Sequence, residues 1–347
     1  MKVRLSLILL VLALVIVPSY VECAEKVFNL VWENFSSPKH RTSVIGQKFG
    51  DAVMAQSNGR IKFSYHYGEP VPDRELLDAV SAGTLDVINA TVTYYSGKVG
   101  IADFTLMPSN FRTWQDMYDL FVKTDLWDIV DRVYRKASNC TVIYPFSIFA
   151  PEDFQIGKKT KKIHRLEDFK GLKIRTAGGA PSMTVKLLGA SPVTLIAGEY
   201  YTGLQRGTVD GGLMTMYSLE TYKMWEVCHQ QVGPPVFPNC TIFAMMNLGV
   251  WNRLPKDLQE VFRRVARDPK LFQEAVKFVD GEDERIKKIA VEKYGVEFYE
   301  LPKEDAEKMY RATDPVWDWY VENCTKQGFG QEAKKAREII HGRFYRK

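Results

Sequence analysis

Arg175 has the clearest chemical opportunity in this chain. It ends the stretch "GLKIR", in which Leu172 and Ile174 form the inward face of a buried strand, and "TAGGAP" follows at once, a small-residue corner with a proline able to open a helix. A guanidinium at the end of a strand offers a planar fork of donors that matches a carboxylate bidentately and never loses its charge. The free N–H groups at the start of the next helix also favour an anion. An arginine paired with Asp or Glu at a sheet edge has the same sequence signature, and spacing alone leaves both readings open.

Catalysis has no comparable constellation. The sequence holds no G-x-G-x-x-G after a strand, no phosphate-binding G-x-x-x-x-G-K-[ST], no G-x-S-x-G and no H-E-x-x-H. His40, His66, His164, His229 and His341 are scattered without metal-ligand spacing. Neither enzymatic machinery, nor a cofactor, nor a metal is expected. The aromatics Trp32, Phe35, Tyr94, Tyr95, Phe146 and Phe149 fall at or near predicted strand ends, where such side chains either line an apolar pocket or pack a core.

The elements that position these residues read as two α/β units. "VFNLVWENF", "IKFSYHYG" and "LDVINA" are strands separated by the helical stretches "HRTSVIGQKFGDAVMAQSNGR" and "RELLDAVSAG", a βαβαβ pattern. A helical stretch from Thr113 to Asn139 and the strand "CTVIYPFSIFA" complete the first unit. A second opens after Pro151 with the basic run "GKKTKKIHRLEDFKG", a solvated turn and surface helix without the aromatic interleaving of a nucleic-acid patch. It continues through strands "LKIR", "PVTL" and "VDGGLM" with helices between them. From "TIFAMMNLGVWNRL" onward the pattern reads as helical, apart from a short strand "VEFYEL". Strand ends of open α/β sheets are where ligands bind, so Arg175 and the segment Met214 to Met216 can face one crevice.

The N-terminus runs from Lys2 and Arg4 through an apolar stretch, Leu5 to Val17, that is short for a membrane span, into a small-residue site before Ala24. It reads as a cleaved secretory signal, residues 1–23. With 347 residues, 46% of them hydrophobic, and a net charge of only +5, a sizeable core is expected and nucleic acid is not a partner. Cys140, Cys228, Cys240 and Cys324 remain after cleavage, with Cys228 and Cys240 the favoured local disulfide pair and four buried thiols the other possibility.

Residues 169 to 212, "FKGLKIRTAGGAPSMTVKLLGASPVTLIAGEYYTGLQRGTVDGG", resemble the signature of the DctP-type substrate-binding proteins of TRAP (tripartite ATP-independent periplasmic) transporters. "SNGRIKF", "ELLDAVSAGTLDV", Pro108 and "MNLGVWNRLPKDLQ" extend the likeness over essentially the whole mature chain. The resemblance implies an α/β, two-lobe periplasmic-binding-protein fold with a ligand cleft between the lobes. It places lobe I at 24–150 with a return at 238–280, lobe II at 151–237, and C-terminal helices, 281–347, on both. It also implies a non-enzymatic monomer in the periplasm. That protein captures a small organic acid through an Arg175–carboxylate salt bridge and delivers it to the small and large TRAP membrane subunits. Service to a sensor or another permease, or an exported enzyme acting on a carboxylate, are the alternatives.

Departures from the family pattern narrow the ligand. Met214 stands where many sialic-acid and C4-dicarboxylate binders have Asn, the Glu-Trp pair of the metal-associated keto-acid branch is missing, and Gln155 lies near a second arginine of some members. Fewer polar groups imply one carboxylate on an apolar or aromatic body. Strand-end position adds Trp32, Asn34, Tyr94, Tyr95, Phe146, Phe154, Thr215 and Tyr217 as expected ligand contacts. Glu199, Gln205 and Asp210 are expected to serve fold or hinge.

Overall fold

Alternation of buried and exposed side chains in "FNLVWEN" makes β1 (Phe28–Asn34) a strand, and the same period carries into β2 (Ile61–Tyr67). The remaining strands are β3 (Val87–Ala90), β4 (Cys140–Ile148), β5 (Glu152–Gly157), β6 (Lys173–Thr176), β7 (Ser191–Thr194), β8 (Gly211–Thr215), β9 (Cys228–Phe237), β10 (Thr241–Asn247) and β11 (Glu297–Glu300). The computed structural model describes residues 26–344 except 69–70, 109–110, 112, 149–150 and 238–240. The expected export signal and Phe149 lie outside the described residues.

Two sheets result. The first has the order β2-β1-β3-β10-β4, with β1 parallel to β2 and β3, and β10 antiparallel to both its neighbours. The second has the order β11-β9-β5-β8-β6-β7, parallel at both edges and antiparallel at β9-β5-β8. Helices cover both, giving a two-lobe α/β fold. The chain passes between the lobes from β4 to β5, from β9 to β10, and along the 26-residue helix Pro269–Tyr294, which touches helix Arg41–Gln56 and β4 of the first lobe and leads to β11 of the second. The helices Val316–Lys326 and Gly330–Phe344 return to the first lobe, where Trp317, Tyr320 and Cys324 join its core.

Three strands differ from the sequence expectation. β10 was expected to be helical, but Phe243, Ala244, Met245 and Met246 are all buried between two neighbours in the first sheet. A short unbroken apolar run has no period that separates a buried strand from a buried helix. The helix begins only at Leu248, where Asn247 Oδ1 accepts the N–H of Val250 at 3.1 Å. β5 and β9 were not expected as strands. β5 opens on two carboxylates, and β9 contains Gly233, Pro234 and Pro235, which fall where the register jumps from Phe154↔Val232 to Glu152↔Phe237. Cys228 is a free, buried thiol rather than half of the favoured disulfide, as are Cys140 and Cys324; Cys240 lies outside the described residues.

Several carboxyls with at least one enclosed oxygen sit in this framework, fully buried at Asp103 and half-buried at Asp73 and Asp153. Asp103, 1% exposed, receives the Ser96 hydroxyl, yet burial still pushes it up to about 8; Asp73 and Asp153 are pushed up to about 7 by the same cause. A carboxyl whose folded pKa is raised holds its proton in the native state while the unfolded chain has lost it. Stability therefore falls as pH rises from about 4 to about 8. The thermal midpoint is expected to be higher at pH 5 than at pH 8, with Asp103→Asn shrinking the difference; a flat profile in the parent protein refutes it.

Candidate functional site

Between the lobes lies a cavity; it and the solvent-open space at its mouth together hold about 490 Å³ unoccupied by atoms. The first lobe contributes Phe35 beyond β1, the turn Thr91 to Tyr94 beyond β3, Thr105, Leu106 and Ile242. The second contributes Glu152, Arg175, Ala177, Ala197, Met214 and Tyr222. The walls are largely apolar, with a few polar groups converging, which is the usual composition of a small-molecule site.

Arg175 reaches this cavity from β6, which pairs with β7 and β8 on its two sides. Asp210 sets the strand's start, its Oδ2 accepting the N–H of Lys173 at 2.8 Å. Behind the guanidinium is the ring of Tyr200, 5.9 Å from its central carbon, and Gly212 is required beside it because a Cβ there would stand 2.6 Å from that ring. Gly178 and Gly179, with φ of 103° and 51°, turn the chain into helix Gly179–Leu187. A Cβ on Gly179 would lie 2.4 Å from Ser96 Oγ, so this helix starts against Ser96 and Asp103 of the first lobe.

The guanidinium is 2% exposed and is held entirely by neutral acceptors. Nε donates to Leu195 O at 2.9 Å, Nη1 to Leu213 O at 3.1 Å and to Met214 Sδ at 2.8 Å, and Nη2 to the Tyr94 hydroxyl at a long 3.4 Å. No ion pair joins it to a carboxylate among the described residues. Glu152 shares the cavity wall and is 4% exposed; burial pushes its carboxyl up to about 7, with Arg175 pulling in the other direction. A buried cation without an anionic partner is costly.

Of the residues expected from strand-end position, Tyr94 and Met214 line the cavity with Arg175. The others are placed elsewhere. Trp32 is fully buried in the first lobe, edge-on to Phe49 and Phe63, and Asn34 donates to His66 O. Tyr95 donates to Asp73 O, and Phe146 packs among Tyr118, Phe121, Trp127 and Phe272. In the second lobe Phe154 lies 4.2 Å from Phe169, and Gln155 is fixed by Thr215 O, Ser218 Oγ and Gln231 Oε1; Thr215 faces that network. Glu152, Thr93 and Tyr222 line the cavity without a sequence signal that singled them out. Phe35 was visible only as an aromatic beyond a strand.

Tyr217 bridges the lobes at the cavity's rim. Its hydroxyl accepts the N–H of Arg41 at 3.2 Å and donates to Lys39 O at 3.3 Å, while the Arg41 guanidinium lies 4.1 Å over its ring and donates to Asp283 at 2.7 Å. Tyr94 makes a second bridge, its hydroxyl accepting from both Arg175 and the N–H of Ala197. The lobes therefore meet in a closed arrangement over the cavity.

A profile of the family described as bacterial extracellular solute-binding protein, family 7 (DctP), matches residues 31–323. The chain belongs to the DctP family. Its relatives include the monocarboxylate 2-oxoacid-binding periplasmic protein of Nostoc sp., 31% identical over 242 residues, which are 68% of this chain and 65% of that one. DctP folds superimpose over nearly their whole length. A TRAP periplasmic solute-binding protein of Desulfovibrio salexigens with bound orotic acid gives a TM-score of 0.76 at 21% identity, covering 91% of this chain and 99% of the other. A marine-metagenome TRAP solute-binding protein specific for aromatic acid ligands, in complex with metahydroxyphenylacetate, gives 0.75 at 18% identity, covering 92% and 99%. DctP proteins are extracellular solute-binding components rather than enzymes. Among the described residues, no helix of this DctP chain is long and apolar enough to cross a membrane, and no cluster of His, Cys, Asp or Glu could hold a metal.

Tyr217→Phe tests how much the Tyr217 bridge holds the lobes together. Losing one bridging hydroxyl removes about 0.5–1.5 kcal/mol from the closed form. Ligand affinity is expected to fall roughly two- to tenfold, with a larger radius of gyration by solution scattering at subsaturating ligand. Unchanged affinity and an unchanged radius would show that the bridge does not govern closure.

Proposed function

We propose that this protein captures an organic monocarboxylate with an apolar or aromatic body and delivers it to the membrane subunits of a TRAP transporter. The carrying observation is the buried Arg175, which has neutral partners only and one loosely held nitrogen facing an apolar cavity. A ligand carboxylate supplies the missing anion through a charge-assisted, forked contact. Tyr94 and Met214 frame that contact, and Phe35, Leu106 and Ile242 offer the apolar wall for the ligand's body. Export through the cleaved segment 1–23 and action as a monomer belong to the same reading.

The binding of an aromatic acid by the marine-metagenome protein supports the reading as an example of what this fold accommodates. A 2-oxoacid is the second reading, favoured by the Nostoc relative. Against it, the segment Met214 to Tyr217 offers no Glu-Trp pair, and the described residues contain no metal cluster.

A thermal-shift panel of aliphatic and aromatic monocarboxylates, 2-oxoacids, dicarboxylates, sugar acids and sulfonates tests the reading. Monocarboxylates with apolar bodies are expected to stabilise the protein, by about 2.7 kcal/mol at a hundredfold excess over Kd. Stabilisation by dicarboxylates or sugar acids alone overturns the ligand class.

A further inference from the structure

The carboxyl of Glu152 is the second unmatched polar group of the cavity. Glu152 opens β5 at the point where the chain enters the second lobe, pairs with Thr215 of β8, and is 4% exposed. Among the described residues its carboxyl has neither a hydrogen-bond donor nor an ion-pair partner. Buried polar groups in folded proteins are almost always satisfied, so an unsatisfied one on a cavity wall points to what the cavity holds. Thr93 of the first lobe lines the same cavity, and its Oγ1 is also buried and unpartnered. The apolar walls leave these groups and Arg175 as the directional contacts available to an occupant.

We propose that Glu152 is a specificity-determining residue that binds an uncharged hydrogen-bonding group, a hydroxyl or an amide, on the body of a ligand whose carboxylate is held by Arg175. This rests on the carboxylate reading above. Charge balance selects the group. Arg175 and the ligand carboxylate cancel, so a further charge in the closed cavity would stand alone in a poorly solvated site. Glu152 then meets the ligand as a neutral carboxylic acid, able both to donate and to accept. A hydroxyl or amide matches that pair of roles, whereas a second ligand carboxylate adds an unmatched charge. A site built around such a bond rejects the analogue lacking it, because its own buried group is left unpaired.

The titratable surroundings of Glu152 support the neutral form. Arg175 on β6 is the cation that favours its ionisation, while Asp153 on the same strand opposes it. Tyr94 and Tyr222 are the other ionisable groups of the wall, with Asp73 acting on both, and burial keeps each tyrosine protonated. Pairing Arg175 with a ligand carboxylate removes the one cation near Glu152, so ligand binding is coupled to proton uptake above pH 7.

Calorimetric titrations of the mature protein with matched acids test this: phenylacetate against 3-hydroxyphenylacetate, and isovalerate against 2-hydroxyisovalerate, each in two buffers of different ionisation heat at pH 8. In at least one pair the hydroxylated acid is expected to bind about tenfold to a hundredfold more tightly, with proton uptake. Glu152→Gln, which mimics the neutral acid, should keep the preference and lose the proton uptake; Glu152→Ala should lose both while still binding the parent acid. Equal affinities within both pairs, or a preference that survives Glu152→Ala, overturn the proposal for Glu152 while leaving the carboxylate reading intact. If neither the acids of these pairs nor those of the wider panel bind, the Arg175 reading fails and Glu152 falls with it. An ammonium-bearing acid such as phenylalanine that binds with proton release and is lost in Glu152→Gln would show instead that Glu152 acts as an anion, which also refutes the proposal.

Discussion

Arg175→Ala is expected to abolish ligand-induced stabilisation while leaving the protein folded. Removing one partner of a buried, hydrogen-bonded charge pair costs about 2–5 kcal/mol, so affinity should fall by roughly 30-fold to several thousandfold. Arg175→Lys should recover little of it. An ammonium keeps the charge but loses the fork, and it cannot reach Leu195 O, Leu213 O and a ligand at once. The measurement is a titration of each variant with whichever acid shifts the parent protein. Equal binding by Arg175→Ala and the parent would mean that the guanidinium serves only to tie the carbonyls of β8 and the chain beyond β7, and the carboxylate reading would be lost. Circular dichroism of the unliganded variants separates this from simple unfolding.

Trp32→Ala makes the opposite separation. The indole is fully buried against Phe49, Phe63 and Tyr65, and Gly50 on the neighbouring helix leaves room for it and for Tyr65, a would-be Cβ there standing 3.0 Å from the indole and closer still to the Tyr65 hydroxyl. Emptying such a site costs about 3–5 kcal/mol. Denaturant melts should show that loss, while the protein that remains folded binds ligand within about twofold of the parent. A tenfold or larger rise in Kd with little loss of stability would place Trp32 at the ligand instead. Sequence position gave it as a ligand contact, because it lies near the end of a strand whose neighbours point to the cleft.

That case shows what the residues disclosed and what they withheld. The alternation of period-2 and helical segments from Phe28 to Ala90 and from Lys173 to Thr215 was enough to read two α/β units. It failed at β10, where burial on both sides erases the period, and at β5 and β9, where carboxylates, glycine and prolines disguise strands inside a six-stranded sheet. Arg175, Tyr94 and Met214 could be placed at the cavity because each lies at or just beyond the carboxyl end of a strand. Strand-end position says how far along a strand a side chain sits but not which way it points. Phe146 and Phe154 satisfy the first condition and turn into their cores. The signal for Trp32 was Gly50, legible only once the strand beneath its helix is known. Glu152 was hidden because its strand was.

The Tyr94 bridge has a further consequence for how an empty protein differs from a loaded one. Bringing the lobes together places a first-lobe hydroxyl, rather than water, on the loosely held nitrogen of Arg175. On the proposed carboxylate reading, an empty protein that closes strands a dehydrated positive charge, whereas a loaded one closes over a neutral pair. On that reading the mismatch biases closure toward molecules carrying cargo. Any membrane partner that recognises the closed outline reads occupancy without touching the ligand, and empty copies compete with loaded ones only to the extent that they tolerate the stranded charge.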